Sequence, residues 1–180
     1  MRKSILLVSL LLVVAMLLAA CLAQAPATEA PTEAPATEAP TEATSLDAQA
    51  AADAALAAVP GSAVVEIDRG SWRERPTWEV VVRNSNGGGT ELYIDAVTAD
   101  VVKQEPAEVP IYARVSAPAI TADAAMDTAL LDTPGTVEEV GLGREGGRTV
   151  WEVLVAGTNG LMEYYIDATT GEIIKKEPQR

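Results

Sequence analysis

Two blocks of the chain alternate between helical and strand-like hydrophobic patterns in the same order. In the first, Ala48, Ala51, Ala52, Ala55 and Leu56 recur at i, i+3, i+4, i+7 and i+8; in the second, Ala122, Ala125, Met126, Ala129 and Leu130 do the same. Each spacing predicts a short amphipathic helix. Asp47 and Thr121 stand in front as N-caps, behind the apolar staples Leu46 and Ile120. Pro60-Gly61 and Pro134-Gly135 close the helices. The period then drops to two, which predicts strands. The first covers Ala63 to Asp68 or Thr136 to Leu142. The second sets Trp78, Val80 and Val82 against Glu79, Val81 and Arg83, or Trp151, Val153 and Val155 against Glu152 and Leu154. The third covers Thr90 to Asp95 or Leu161 to Asp167. Asn84 to Gly89 and Gly157 to Gly160 read as hairpin turns. Val101-Val102 and Ile173-Ile174 predict short edge strands. The expected fold class is α+β, in two tandem repeats, each a helix packed on a three- to four-stranded antiparallel β-meander.

The two blocks are copies. Pro60-Gly61 matches Pro134-Gly135 at an offset of 74, Trp78-Glu79-Val80 matches Trp151-Glu152-Val153 at 73, and Tyr93-Ile94-Asp95-Ala96 matches Tyr165-Ile166-Asp167-Ala168 at 72, so two single-residue indels separate them. The domain reading is residues 45–106 for repeat 1, 107–118 for a linker and 119–180 for repeat 2. Trp78 and Trp151, alternating with valines, are placed in the core.

The order of helix, Pro-Gly, strand, Trp-Glu-Val strand, Gly turn and Tyr-Ile-Asp-Ala-x-Thr-Gly-Glu resembles the PepSY domain family. Copy two carries the ending intact as Tyr165 to Ile174, whereas Ala99-Asp100 replaces the turn glycine in copy one, so a distorted or one-residue-shifted last turn is expected there. The resemblance implies a small non-catalytic module of the kind found in propeptides of thermolysin-type metallopeptidases, with a secreted or membrane peptidase as the implied protein partner.

Arg2 and Lys3 precede an apolar run from Ile5 to Leu18, long enough for a signal-peptide h-region and short for a membrane span. Leu18-Ala19-Ala20-Cys21 resembles a bacterial lipobox, which implies a leader over residues 1–20 and lipidation of Cys21. The alternative, a secreted chain cut after Ala20, leaves one reactive thiol unexplained. The nonapeptide APATEAPTE occurs twice between Ala25 and Glu42, so residues 21–44 read as a Pro/Thr/Glu-rich disordered tether. The expected location is the cell membrane, lipid-anchored on its extracytoplasmic side, at the cell surface or in the periplasm.

Composition narrows the chemistry. Loss of Arg2 and Lys3 with the leader takes the formal charge from −13 to −15, a poor match for nucleic acid. There is no His, and the one Cys is Cys21. No Ser/His or Cys/His nucleophile can be assembled. The chain is read as not an enzyme, with no catalytic residues, no cofactor and no metal. Asp95 and Asp167 read as caps of the turns after them; Ca²⁺ binding by Asp167, Glu172 and carbonyls is the weaker alternative. Asp53, Asp127, Glu79 and Glu152 read as solvated. Trp72, in Gly70 to Pro76 and without a counterpart in copy two, is the candidate partner contact, with folding back on its own domain as the alternative. The functional expectation is a cell-surface, lipid-anchored interaction module binding or regulating a secreted or envelope peptidase. The alternative is a structural spacer or an envelope protein that binds a ligand or cations.

If acylation supplies the anchor, Cys21→Ser should move the processed protein from the membrane fraction to the soluble fraction on ultracentrifugation. A cleaved Cys21→Ser chain still retained on membranes would contradict the lipobox reading.

Overall fold

The computed structural model describes residues 45–180 apart from Ser116, together with their contacts. The leader, Cys21 and the tether lie outside the described residues. Repeat 1 contributes α1 (Ala48–Ala58), β1 (Ala63–Trp72), β2 (Arg75–Arg83), β3 (Gly89–Asp95) and β4 (Val101–Ala107). A short helix α2 (Ile111–Val115) follows. Repeat 2 contributes α3 (Ala122–Asp132), β5 (Gly135–Glu145), β6 (Arg148–Gly157), β7 (Gly160–Asp167) and β8 (Ile173–Pro178). Both helices begin as their sequences dictate: Asp47 accepts from the Ala50 amide at 2.8 Å and Thr121 from the Ala124 amide at 3.2 Å.

The expected pair of helix-on-meander repeats is corrected in one respect. All eight strands form one antiparallel sheet in the order β4-β3-β2-β1-β5-β6-β7-β8. The seam is the pairing of Glu66 with Gly141, Ile67 with Val140 and Asp68 with Glu139. A first strand with one neighbour is an edge, and its unpaired amides find partners in the matching edge of the other repeat. The offset of 73 makes Ile67 and Val140 equivalent, so the seam has local pseudo-twofold symmetry. Helix α1 therefore touches β5 and α3 as well as its own meander.

One face of the sheet carries α1 and α3. Trp78 and Trp151 are fully buried there, as their phase predicts, and each indole N–H donates to a carbonyl before the helix of its repeat: Leu46 at 2.9 Å and Ile120 at 3.2 Å. The small side chains of Ala51, Ala52, Ala125 and Ala129 let the helices approach closely. The 107–118 segment is also packed, since Val109 and Ala113 are buried and Tyr112 donates to the Leu142 carbonyl at 2.7 Å.

Three local expectations need correction. Strand β1 runs past Asp68 to Trp72 and β2 starts at Arg75, because Arg73 and Glu74 form a two-residue hairpin with φ of 49° and 64°. Copy two places Gly146 and Gly147 there, which is the chemistry such a turn favours. The edge strands are six and seven residues long rather than two. The last turn of repeat 1 is neither distorted nor shifted: Ala99 takes φ 63° where Gly171 takes 78°, and its amide bonds Asp95 O at 3.0 Å as Gly171 bonds Asp167 O at 2.9 Å. The turn's hydrogen bonds hold Ala99 in a region that disfavours a Cβ.

Relief of that strain should make Ala99→Gly more stable by about 1 kcal/mol, and Gly171→Ala less stable by a similar amount. Urea unfolding midpoints at unchanged m-value report both. A loss of stability in Ala99→Gly would show that Ala99 is not strained.

Candidate functional site: the carboxylate face of the sheet

Side chains on the face away from α1 and α3 line up in two rows across all eight strands. One row reads Lys103, Tyr93, Glu79, Asp68, Glu139, Leu154, Glu163, Glu177. Its neighbour reads Lys175, Tyr165, Glu152, Gly141, Glu66, Val81, Glu91, Glu105. The pseudo-dyad at Ile67 and Val140 exchanges them position by position. Nine of the sixteen positions are carboxylates and two are lysines, and each lysine is held by a glutamate of its own strand: Lys103 by Glu105 at 2.5 Å and Lys175 by Glu177 at 2.9 Å. The face is strongly anionic.

Glycines shape it. A methyl group at Gly70 would overlap the Glu79 carboxylate, and one at Gly143 would overlap that of Glu152. Both glutamates lie down over their glycine and are half-buried, not fully solvated as their sequence positions suggest. Burial, followed by the charge of Glu91 or Glu163, pushes their carboxyls up. At the seam Asp68 is pushed up to about 7, first by burial, then by its hydrogen bond with Glu66 and the charges of Glu66, Glu139 and Glu79. Gly141, opposite Glu66, spares the dyad a fourth carboxylate.

At each end of the rows a tyrosine, a lysine and a glutamate form one unit. Tyr93 donates to Glu105 at 3.3 Å and Tyr165 to Glu177 at 3.2 Å, while Lys103 and Lys175 sit 4.2 and 4.5 Å over the two rings. Trp72 extends the unit in repeat 1. Its ring lies 5.6 Å from Tyr93, and Lys103 stands 4.5 Å over it, so the lysine is shared between two aromatic faces. The equivalent position in repeat 2 is Glu145, 4.0 Å from Lys175. Trp72 is half-buried on its own domain and keeps part of its ring in solvent.

The other expected positions have structural roles. Asp95 Oδ1 accepts the Val97 and Thr98 amides at 3.0 and 2.9 Å, and Asp167 Oδ1 accepts those of Thr169 and Thr170 at 2.9 and 3.1 Å. Their second oxygens pair with Arg75 at 2.5 Å and Arg148 at 3.2 Å. The backbone amides and then the arginines hold both carboxyls below the usual range. Both oxygens of Asp167 are thus already engaged. Asp53 and Asp127 are exposed on their helices. Among the described residues no group of three or more His, Cys, Asp or Glu side chains is placed to hold a metal ion. The rows themselves were missed by sequence reading; the alternating acids, the matched strand glycines Gly70 and Gly143 and the unmatched Gly141 were the available signal.

Residues 45–105 and 119–177 each match PepSY, the peptidase propeptide and YPEB domain. The chain belongs to this family. The tandem PepSY chain is 30% identical over 127 residues to YkoJ, an uncharacterized protein of Bacillus subtilis strain 168, covering 70% of this chain and 71% of that one. Among solved structures it is similar to CD1622 of Clostridium difficile 630, a candidate lipoprotein, at 16% identity over 74% of this chain and 93% of that one, with a TM-score of 0.43. A second is YpmB of Bacillus subtilis, at 24% identity over 72% and 95% of the two chains, with a TM-score of 0.33.

The seam carboxylates set a pH dependence. The folded pKa of Asp68 lies above its unfolded value, so its contribution is fully present below about pH 4 and is lost as pH rises toward 7. Partial exposure screens the effect to about 1–2 kcal/mol. The urea midpoint should fall between pH 5.5 and 7.5, and Asp68→Asn should flatten that fall. An unchanged fall in the variant would place its origin elsewhere.

Proposed function

We propose that this tandem PepSY chain is a lipid-anchored, non-catalytic interaction module on the extracytoplasmic side of the membrane, which binds or regulates an envelope or secreted peptidase. The observation that carries this reading is the two-row carboxylate face, nine acids against two lysines that are already paired, with the partly exposed ring of Trp72 at one end. Such a face complements a basic surface, steers its approach and offers an aromatic anchor at the rim. Membership in a family named for peptidase propeptides supports a peptidase as the bearer of that surface. Cys21 supplies the anchor in this reading, and residues 21–44 the tether.

The same acidity favours a second reading, an envelope protein that holds cations or basic peptides without acting on a peptidase. Titration of the soluble chain Ser45 to Arg180 into the proteolytic activity secreted by its own cells separates the two. Peptidase regulation predicts a saturable change in activity, and Trp72→Ala should need about tenfold more protein for half the effect. No change in activity and no captured peptidase would leave the cation-holding reading.

A further inference from the structure

Helices α1 and α3 run antiparallel over the sheet, and a cleft opens at each end of the pair. The two clefts are pseudo-dyad mates: Leu56, Val64 and Asp123 line one, and their equivalents Leu130, Val137 and Gln49 line the other. They differ in what closes them. The first, about 160 Å³ in volume, is walled also by Pro118 of the inter-repeat segment and by Ile120 and Trp151 of repeat 2. Apolar cavities of roughly 150 Å³ hold a benzene-sized guest, so this one has room for a branched aliphatic side chain.

The clefts carry different acids: the second holds Asp47, whose Oδ1 accepts the Ala50 amide as the N-cap of α1, and the first holds Asp123 where the second has Gln49. The Asp123 Oδ1 is shielded from solvent and accepts no hydrogen bond, which is costly for a carboxylate oxygen. Burial, followed by the charges of Asp53 on α1 and Asp127 on its own helix, pushes its carboxyl up. The N-cap of α3 is already provided by Thr121, so Asp123 is not needed to cap the helix.

We propose that this cleft binds an amino-terminal aliphatic residue of a polypeptide, the side chain seated against Leu56, Ile120 and Trp151 and the α-ammonium paired with Asp123. Charge complementarity selects this occupant: a purely apolar guest leaves Asp123 unpartnered, and a second acid is repelled by the three aspartates. The inference rests on the reading of the chain as a binding module and adds a ligand class to it.

The test uses the ¹⁵N-labelled full chain in detergent, titrated with L-leucinamide, N-acetyl-L-leucinamide and glycinamide. Leucinamide should give saturable shifts at Leu56, Ala122, Asp123 and the Trp151 indole, with none at Gln49 or Leu130. N-acetyl-leucinamide, lacking the cation, should bind at least fivefold more weakly, and glycinamide, lacking the side chain, should not saturate. Asp123→Asn should erase the difference between the two leucine probes, while Glu74→Gln, at an exposed hairpin outside the cleft, should keep it. Equal shifts at both clefts, no saturation, or an undiminished preference in Asp123→Asn would overturn the proposal. Such a failure would leave the peptidase titration standing, since that test reads the carboxylate face and Trp72.

Discussion

Three residue pairs between β1 and β5 turn two sixty-residue modules into one body. A module of that size buries too little surface to be comfortably stable by itself. Its first strand would also leave a row of backbone groups without partners. Pairing equivalent edges resolves both constraints, and it places Ile67 and Val140, each fully buried, at the centre of a shared core. The contact of α1 with β5 and α3, the buried inter-repeat segment and the two clefts all follow from it.

The seam has an electrostatic cost. Antiparallel pairing about the dyad brings Glu66, Asp68 and Glu139 side by side, with Glu79 and Glu152 in the next strands. The fold offsets this by Gly141 at the fourth position and by the proton that Asp68 retains more readily than a free aspartate. The remaining acidity is displayed on the helix-free face. Burial is thus assigned to one face of the sheet and charge to the other.

Repetition with differences separates structural from functional positions. Asp95 and Asp167, Arg75 and Arg148, Tyr93 and Tyr165, and Trp78 and Trp151 perform the same tasks in both copies, which is how packing and turn closure look when duplicated. Trp72 against Glu145, and Asp123 against Gln49, break the symmetry. Neither asymmetry is required by the sheet, and both lie where a partner could reach them.

The sequence by itself determined the elements. Periods of 3.6 and 2, the caps Asp47 and Thr121, and the phase of Trp78 and Trp151 are local consequences of side-chain type, and the family could be read from their order. Local chemistry misjudged Arg73-Glu74 and Ala99, because the pairing of β1 with β2 and the closed turn after Asp95 hold those residues at positive φ without glycine. Only the tertiary structure decided that the two repeats share one sheet, since which edge meets which depends on unpaired amides rather than on any residue's preference. It alone aligned carboxylates scattered from Glu66 to Glu177 into two rows. It alone brought Asp123 and Trp151 to one cleft, because strand register and helix packing set those distances, and neither is written in local sequence.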